Sequence, residues 1–168
     1  MRKTSTVTML LMAASPVTLA SSPAAANCIP PWQILFSCTI PQRDARAEFC
    51  LIPNTDAHPG KKQGYYTYVT GTKPAELYFE ADGYYFSTKD TEVDHPTDLT
   101  MAVGFKRGDY VYSFTITEDE RQPDGIRDGE VRVYSSLDAF TNDKKDTEVT
   151  KLYCDPESII ANRNEIRP

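Results

Sequence analysis

The chain has 168 residues, with 24 acidic against 18 basic side chains. That length suits one domain with a core of its own, and the acidic balance repels nucleic acid and anionic lipid. No stretch of basic residues offers a nucleic-acid footprint, no glycine-rich phosphate loop is present, and no segment after the first 26 residues is apolar enough to cross a membrane.

The first 26 residues read as a secretory signal peptide. Met1-Arg2-Lys3 is a positive start, Met9 to Ala14 with Val17, Leu19 and Ala20 is a short apolar stretch, and Ala24-Ala25-Ala26 is a small-residue cleavage site. A cut after Ala26 leaves a single domain over 27–168, and a cut after Ala20 is the alternative. Cys28 beside the cut raises a lipid-anchored cysteine, which the polar Asn27 argues against. Losing Arg2 and Lys3 takes the 18 basic residues to 16 against 24 acidic ones, a net charge of −8. The expected location is the periplasm or the cell exterior.

Cys28, Cys38, Cys50 and Cys154 all fall in the mature domain. In an oxidising compartment an even count reads as two disulfides. Their spacing lacks the close pairs that zinc sites use. Three pairings are open. Cys38 and Cys50 are symmetric about Asp44, which favours Cys38–Cys50 with Cys28–Cys154. The rival is Cys50–Cys154 with Cys28–Cys38.

From there the chain alternates strand and turn signals. Residues 34–39 and 46–51 form a first pair around Gln42-Arg43-Asp44-Ala45. Tyr65 to Val69 is aromatic and β-branched. Gly71-Thr72-Lys73-Pro74 turns it into 75–80, and Asp82-Gly83 is a hairpin dipeptide leading to 84–87. Residues 88–98 read as a loop. Met101, Val103 and Phe105, then Tyr112, Phe114 and Ile116, alternate with smaller or polar residues across Arg107-Gly108-Asp109, a tight turn; these six are expected to face the core. Residues 117–129 form an acidic loop, Val131 and Val133 lie on another strand, and 149–153 is the last. Residues 156–162 suit a short helical turn, and nothing else looks helical. The sum is an all-β domain of about eight or nine short strands, an antiparallel sandwich or barrel-like sheet.

Chemistry is sparse. His58 and His95 each precede a proline in a loop, and no serine sits in a nucleophile elbow. Glu76, between Ala75 and Leu77, is the one carboxylate in an apolar setting, and it reads as a solvent-facing strand position. Asp119, Glu120, Asp124, Asp128 and Glu130 are crowded enough to test for calcium. The EF-hand spacing fails, because the first, third and twelfth positions would be Glu120, Gln122 and Val131. No catalytic residue, metal or cofactor is therefore assigned. The surplus is aromatic: ten tyrosines, a residue enriched at protein interfaces for its large, rigid, partly polar ring. The expected binding surface comprises Tyr65, Tyr66, Tyr84, Tyr85, Asp119, Glu120 and Asp124.

Several motifs in order resemble a group of small secreted or periplasmic bacterial proteins, most described only as hypothetical. They are Phe36-Ser37-Cys38-Thr39, Glu48-Phe49-Cys50, Tyr66-Thr67-Tyr68 with Lys73-Pro74-Ala75-Glu76-Leu77, Phe105 through Tyr112, Gly129 through Tyr134, and Leu152-Tyr153-Cys154. The resemblance implies a signal peptide, a β fold and paired cysteines, and assigns no catalytic residue. Cys28 and the acidic stretch 117–129 depart from it. The function expected is a non-enzymatic binding protein, an inhibitor or immunity protein whose partner is a basic cell-wall hydrolase or toxin. The alternatives are a carboxylate-based wall-glycan hydrolase and a structural envelope component.

Overall fold

A computed structural model describes residues 28–52, 63–81, 83–90, 98–119, 125–142 and 148–166. Ten strands build two five-stranded antiparallel sheets. In the first, β1 (Gln33–Ile40), β2 (Ala45–Leu51), β3 (Gly64–Thr70) and β4 (Leu77–Ala81) are neighbours in chain order, and β10 (Ile160–Ala161) pairs with the free side of β1. The second is a meander of β5 (Tyr84–Asp90), β6 (Asp98–Arg107), β7 (Tyr110–Asp119), β8 (Ile126–Tyr134) and β9 (Glu148–Tyr153). The all-β reading holds.

Directly opposed residues share a face, so register shows where the core lies. Phe36, Phe49, Tyr66 and Phe79 form one row across the first sheet. Met101, Val103, Phe105, Phe114 and Ile116 are fully buried on the second sheet, and Tyr112 packs partly buried beside them. These are the six core positions expected from the alternation. Phe36 stacks on Phe114 at 4.3 Å, Phe49 meets Phe105 at 5.4 Å, and Phe79 meets Tyr112 at 5.0 Å. A row that crosses four strands of one sheet thus runs along β7 of the other. The two sets of strands cross steeply, as in orthogonal sandwiches whose corners are made by a chain switching sheets. That corner lies between Ala81 and Tyr84. The hairpin expected between 75–80 and 84–87 is therefore not formed: β4 and β5 belong to different sheets and do not pair.

Other turns follow their chemistry. Gly108 takes φ +59 between β6 and β7, which glycine adopts without steric cost, so Gly108-Asp109 is a two-residue hairpin loop closed by the Arg107–Tyr110 pair. At the β1–β2 turn, Pro41–Arg43 forms a 3-10 turn that Asp44 closes at φ 47.

The disulfides correct the expected pairing. They are Cys28–Cys50 and Cys38–Cys154. The hairpin is centred between Gln42 and Arg43, not on Asp44, so Cys38 faces Ala47. A bulge at Leu35 then sets Cys50 opposite Ile34. The two cysteines therefore cannot meet across the pair. Cys28–Cys50 fastens the N-terminal segment to the outer face of the first sheet. Cys38–Cys154 joins the two sheets. Around it Asp155 N–H donates to Thr39 C=O at 2.9 Å, Cys154 N–H to Gly129 C=O at 2.9 Å, and Thr39 N–H to Ser158 Oγ at 2.8 Å.

Three further expectations are revised. α1 (Leu137–Thr141) is an unexpected helix, capped by Ser136 Oγ accepting from Ala139 N–H at 3.0 Å. The expected acidic loop is partly strand, since β7 reaches Asp119 and β8 starts at Ile126. The expected loop 88–98 is strand at both ends, where β5 and β6 reach further. The short helical turn expected in the tail is present, as a 3-10 turn at Pro156–Ser158; β10 and then α2 (Arg163–Ile166), whose Ile166 is buried in the core, follow it.

Candidate functional site

The expected tyrosine surface is redistributed by the sandwich. Tyr66 points inward and is buried, within 5.5 Å of the Tyr112 ring. Burial, with smaller effects from Tyr68 and Tyr112, pushes its phenol far above the ordinary range. Tyr65 points outward, as alternation requires, yet it too is buried. The N-terminal segment covers it: Trp32 meets its ring edge-on at 5.3 Å, and Ile29 N–H donates to its hydroxyl at 3.1 Å. Its pKa is raised mainly by burial, the Ile29 bond pulling it down and Glu48 pushing it up. Neither ring is available as an exposed contact, which corrects the sequence reading.

Tyr84 and Tyr85 do stand at the surface, 37% and 38% exposed. Asp119 is half-buried at the end of β7, while Glu120 and Asp124 lie outside the described residues, as do His58 and His95. Glu76 is exposed just before β4, its N–H donating to Tyr68 C=O at 2.9 Å.

The structure brings together residues that periodicity alone did not group. Where β4 crosses the β6–β7 hairpin, Arg107 lies over the Phe79 ring at 5.4 Å and Tyr110 is its cross-strand partner. Tyr110 is 47% exposed. Tyr112 stands two residues along on the same face, in one row with Phe105 and Tyr84. The rim therefore carries Tyr84, Arg107 and Tyr110 over a floor of Phe79 and Tyr112. Amphipathic rings and a guanidinium over an aromatic floor are the composition of interface cores. The signal that could have found this rim was the turn itself: the residues flanking a two-residue hairpin loop must lie side by side.

Two carboxyls are deeply buried among the described residues, Glu48 and Glu118. Glu48 stands on the outer face of the first sheet, 2.9 Å from Arg46. Glu118 follows Phe114 and Ile116 on the inner face of the second. They occupy different faces and form no pair of the kind glycoside hydrolysis uses.

Comparison with protein-family models, with curated proteins and with solved structures found no match.

Proposed function

We propose that this protein is an exported, non-enzymatic binding protein of the periplasm or cell exterior, an inhibitor or immunity protein whose partner is a basic cell-wall hydrolase or toxin. The observation that carries the reading is the rim of Tyr84, Arg107 and Tyr110 on a sandwich clamped by a disulfide between its sheets. A surface held rigid before binding loses little conformational freedom when it docks, and this preserves affinity. The net charge of −6 supports the choice of a basic partner, because complementary charge raises the encounter rate. Two disulfides favour an oxidising compartment, and no helix among the described residues is long and apolar enough to cross a membrane.

The test is inhibition of a basic wall hydrolase such as lysozyme by the purified, oxidised protein, with binding followed by calorimetry. Inhibition at micromolar or lower concentration is expected, and Tyr110→Ala should weaken it about tenfold or more, as for a central aromatic contact. Absence of binding to every basic wall hydrolase tried would end the reading.

A further inference from the structure

The two disulfides sit in different surroundings. Cys38 and Cys154 both belong to the apolar core between the sheets, and backbone hydrogen bonds frame their bond on both sides. Cys28–Cys50 lies on the outer face of the first sheet, and neither of its residues belongs to that core. Cys50 is buried, but Cys28 is half-buried, so this bond has one end within reach of solvent. It also closes the shorter loop, 22 residues against 116, and so restrains the unfolded chain less.

Register explains what the outer bond holds down. Cys50 on β2 stands directly opposite Tyr65 on β3. Pinning Cys28 to Cys50 therefore lays residues 28–32 over the Tyr65 ring. The segment turns on itself, Trp32 N–H donating to Ile29 C=O at 3.0 Å. It rests on the sheet through the Ile29 N–H bond to the Tyr65 hydroxyl and the edge of the Trp32 ring. Ile29 is itself 70% exposed, and Pro30 and Pro31 are exposed too, so little apolar surface is buried by holding the segment in place. Beneath it, the Tyr65 ring lies 5.5 Å from that of Tyr78, a residue exposed on the edge strand β4. The covering segment thus separates one ring of a tyrosine pair from solvent and leaves the other open.

We infer that residues 28–32 form a redox-sensitive strap, closed while Cys28–Cys50 is oxidised and released when a dithiol reduces it, which opens Tyr65 as a contact surface beside Tyr78. A thiolate of the dithiol attacks Cys28 Sγ, the Cys28–Cys50 bond breaks, and Cys50 leaves as a thiolate that takes up a proton. The second thiol of the reagent attacks the mixed disulfide and frees the Cys28 thiol. The dithiol ends as a disulfide, and two electrons and two protons have passed to the protein. Exchange of this kind depends on access to the sulfur, which singles out Cys28–Cys50 over the bond in the core. Cys38–Cys154 stays closed, so the sandwich persists while its strap moves. The pair of rings laid open is large and partly polar, as docking contacts are.

The experiment is a titration of the native, oxidised protein with dithiothreitol, followed by trapping of free thiols with iodoacetamide and peptide mapping. Cys28 and Cys50 should become alkylated at a reductant concentration about tenfold below that needed for Cys38 and Cys154, a gap of about 30 mV between the two couples. Circular dichroism should be unchanged between the two steps. Trp32 is the only tryptophan in the chain, so its emission reports on the strap alone, and its maximum should move to longer wavelength in the first step. Cys28→Ser with Cys50→Ser, a permanently released form, should show the shifted maximum without reductant; the titration of the unmutated protein decides the matter even where that variant does not fold. Tyr65→Phe, which keeps the ring and removes the bond from Ile29, should lower the concentration that opens Cys28–Cys50 about fivefold, the effect of one hydrogen bond. Opening of both disulfides together with loss of the fold, prior opening of Cys38–Cys154, an emission maximum that stays put once Cys28–Cys50 is open, or a Tyr65→Phe variant that titrates like the native protein would each overturn the proposal. None of these outcomes depends on the wall-hydrolase partner.

Discussion

Tyr66 shows how a single buried phenol writes itself into the pH dependence of the fold. Its ordinary pKa is 10.0 and burial raises it strongly. Below pH 10 the phenol is protonated in both folded and unfolded chains, and its contribution is complete. Above pH 10 the unfolded chain releases the proton while the folded one retains it, so stability is lost as pH rises. The slope from this group approaches about 1.4 kcal/mol per pH unit. Denaturant midpoints measured from pH 8 to 11 should fall above pH 10, and Tyr66→Phe should flatten that fall. The smaller upward shifts of Tyr65 and Tyr68 leave a residual slope. A second residue with a sharp expectation is Gly104. The methyl group of Gly104→Ala would strike Val111 and Phe140, and overpacking of this kind costs about 1–3 kcal/mol. Urea unfolding of the variant measures it directly.

Among the elements, the first hairpin is the most instructive. Both strands were legible, because Ile34 to Thr39 and Arg46 to Leu51 bracket an obvious polar turn. The register was not. A two-sided buried strand such as β2, where only Arg46 is part-exposed, offers no alternation by which to locate its partner. The turn centre therefore decides the pairing, and the Leu35 bulge moves it again. The same limit hid the helix α1, five residues long, whose only local signal is the Ser136 cap. It also hid the fate of Tyr65: alternation predicts an outward ring, but only the Cys28–Cys50 bond reveals that Trp32 is drawn over it. The rim at Tyr110 is half legible: the turn is plain in the sequence, while the crossing of β4 above it is a tertiary fact. Peptide mapping of the unreduced protein should recover Cys28–Cys50 and Cys38–Cys154. The two bonds span 22 and 116 residues, so removing each pair as serines should cost about 3 and about 5 kcal/mol respectively in the chain-entropy model. Equilibrium unfolding of the two double variants would check that order.

At the scale of the whole molecule, the acidic balance and the clamped sandwich act together. A basic partner would be steered toward the protein before any contact forms, and that steering is screened by salt over a length of about 8 Å at physiological ionic strength. The association rate with a basic hydrolase should fall steeply between low and high salt while the dissociation rate changes little, as stopped-flow measurement would show. A rate that is indifferent to salt would remove charge from the account.

The place of β10 has a consequence in time. The second sheet joins only consecutive strands, so it can assemble as soon as its own stretch of chain is available. The first cannot: β1 stands at the beginning of the described chain, and its outer partner β10 and the sulfur that captures Cys38 stand at the end. Long-range pairings of this kind form slowly because the loop between them must close first. A polypeptide delivered vectorially, amino end leading, would therefore wait with its first sheet unfinished until the carboxyl end arrived. Were the chain exported in that order, the bond between its sheets could close only once Cys154 had emerged.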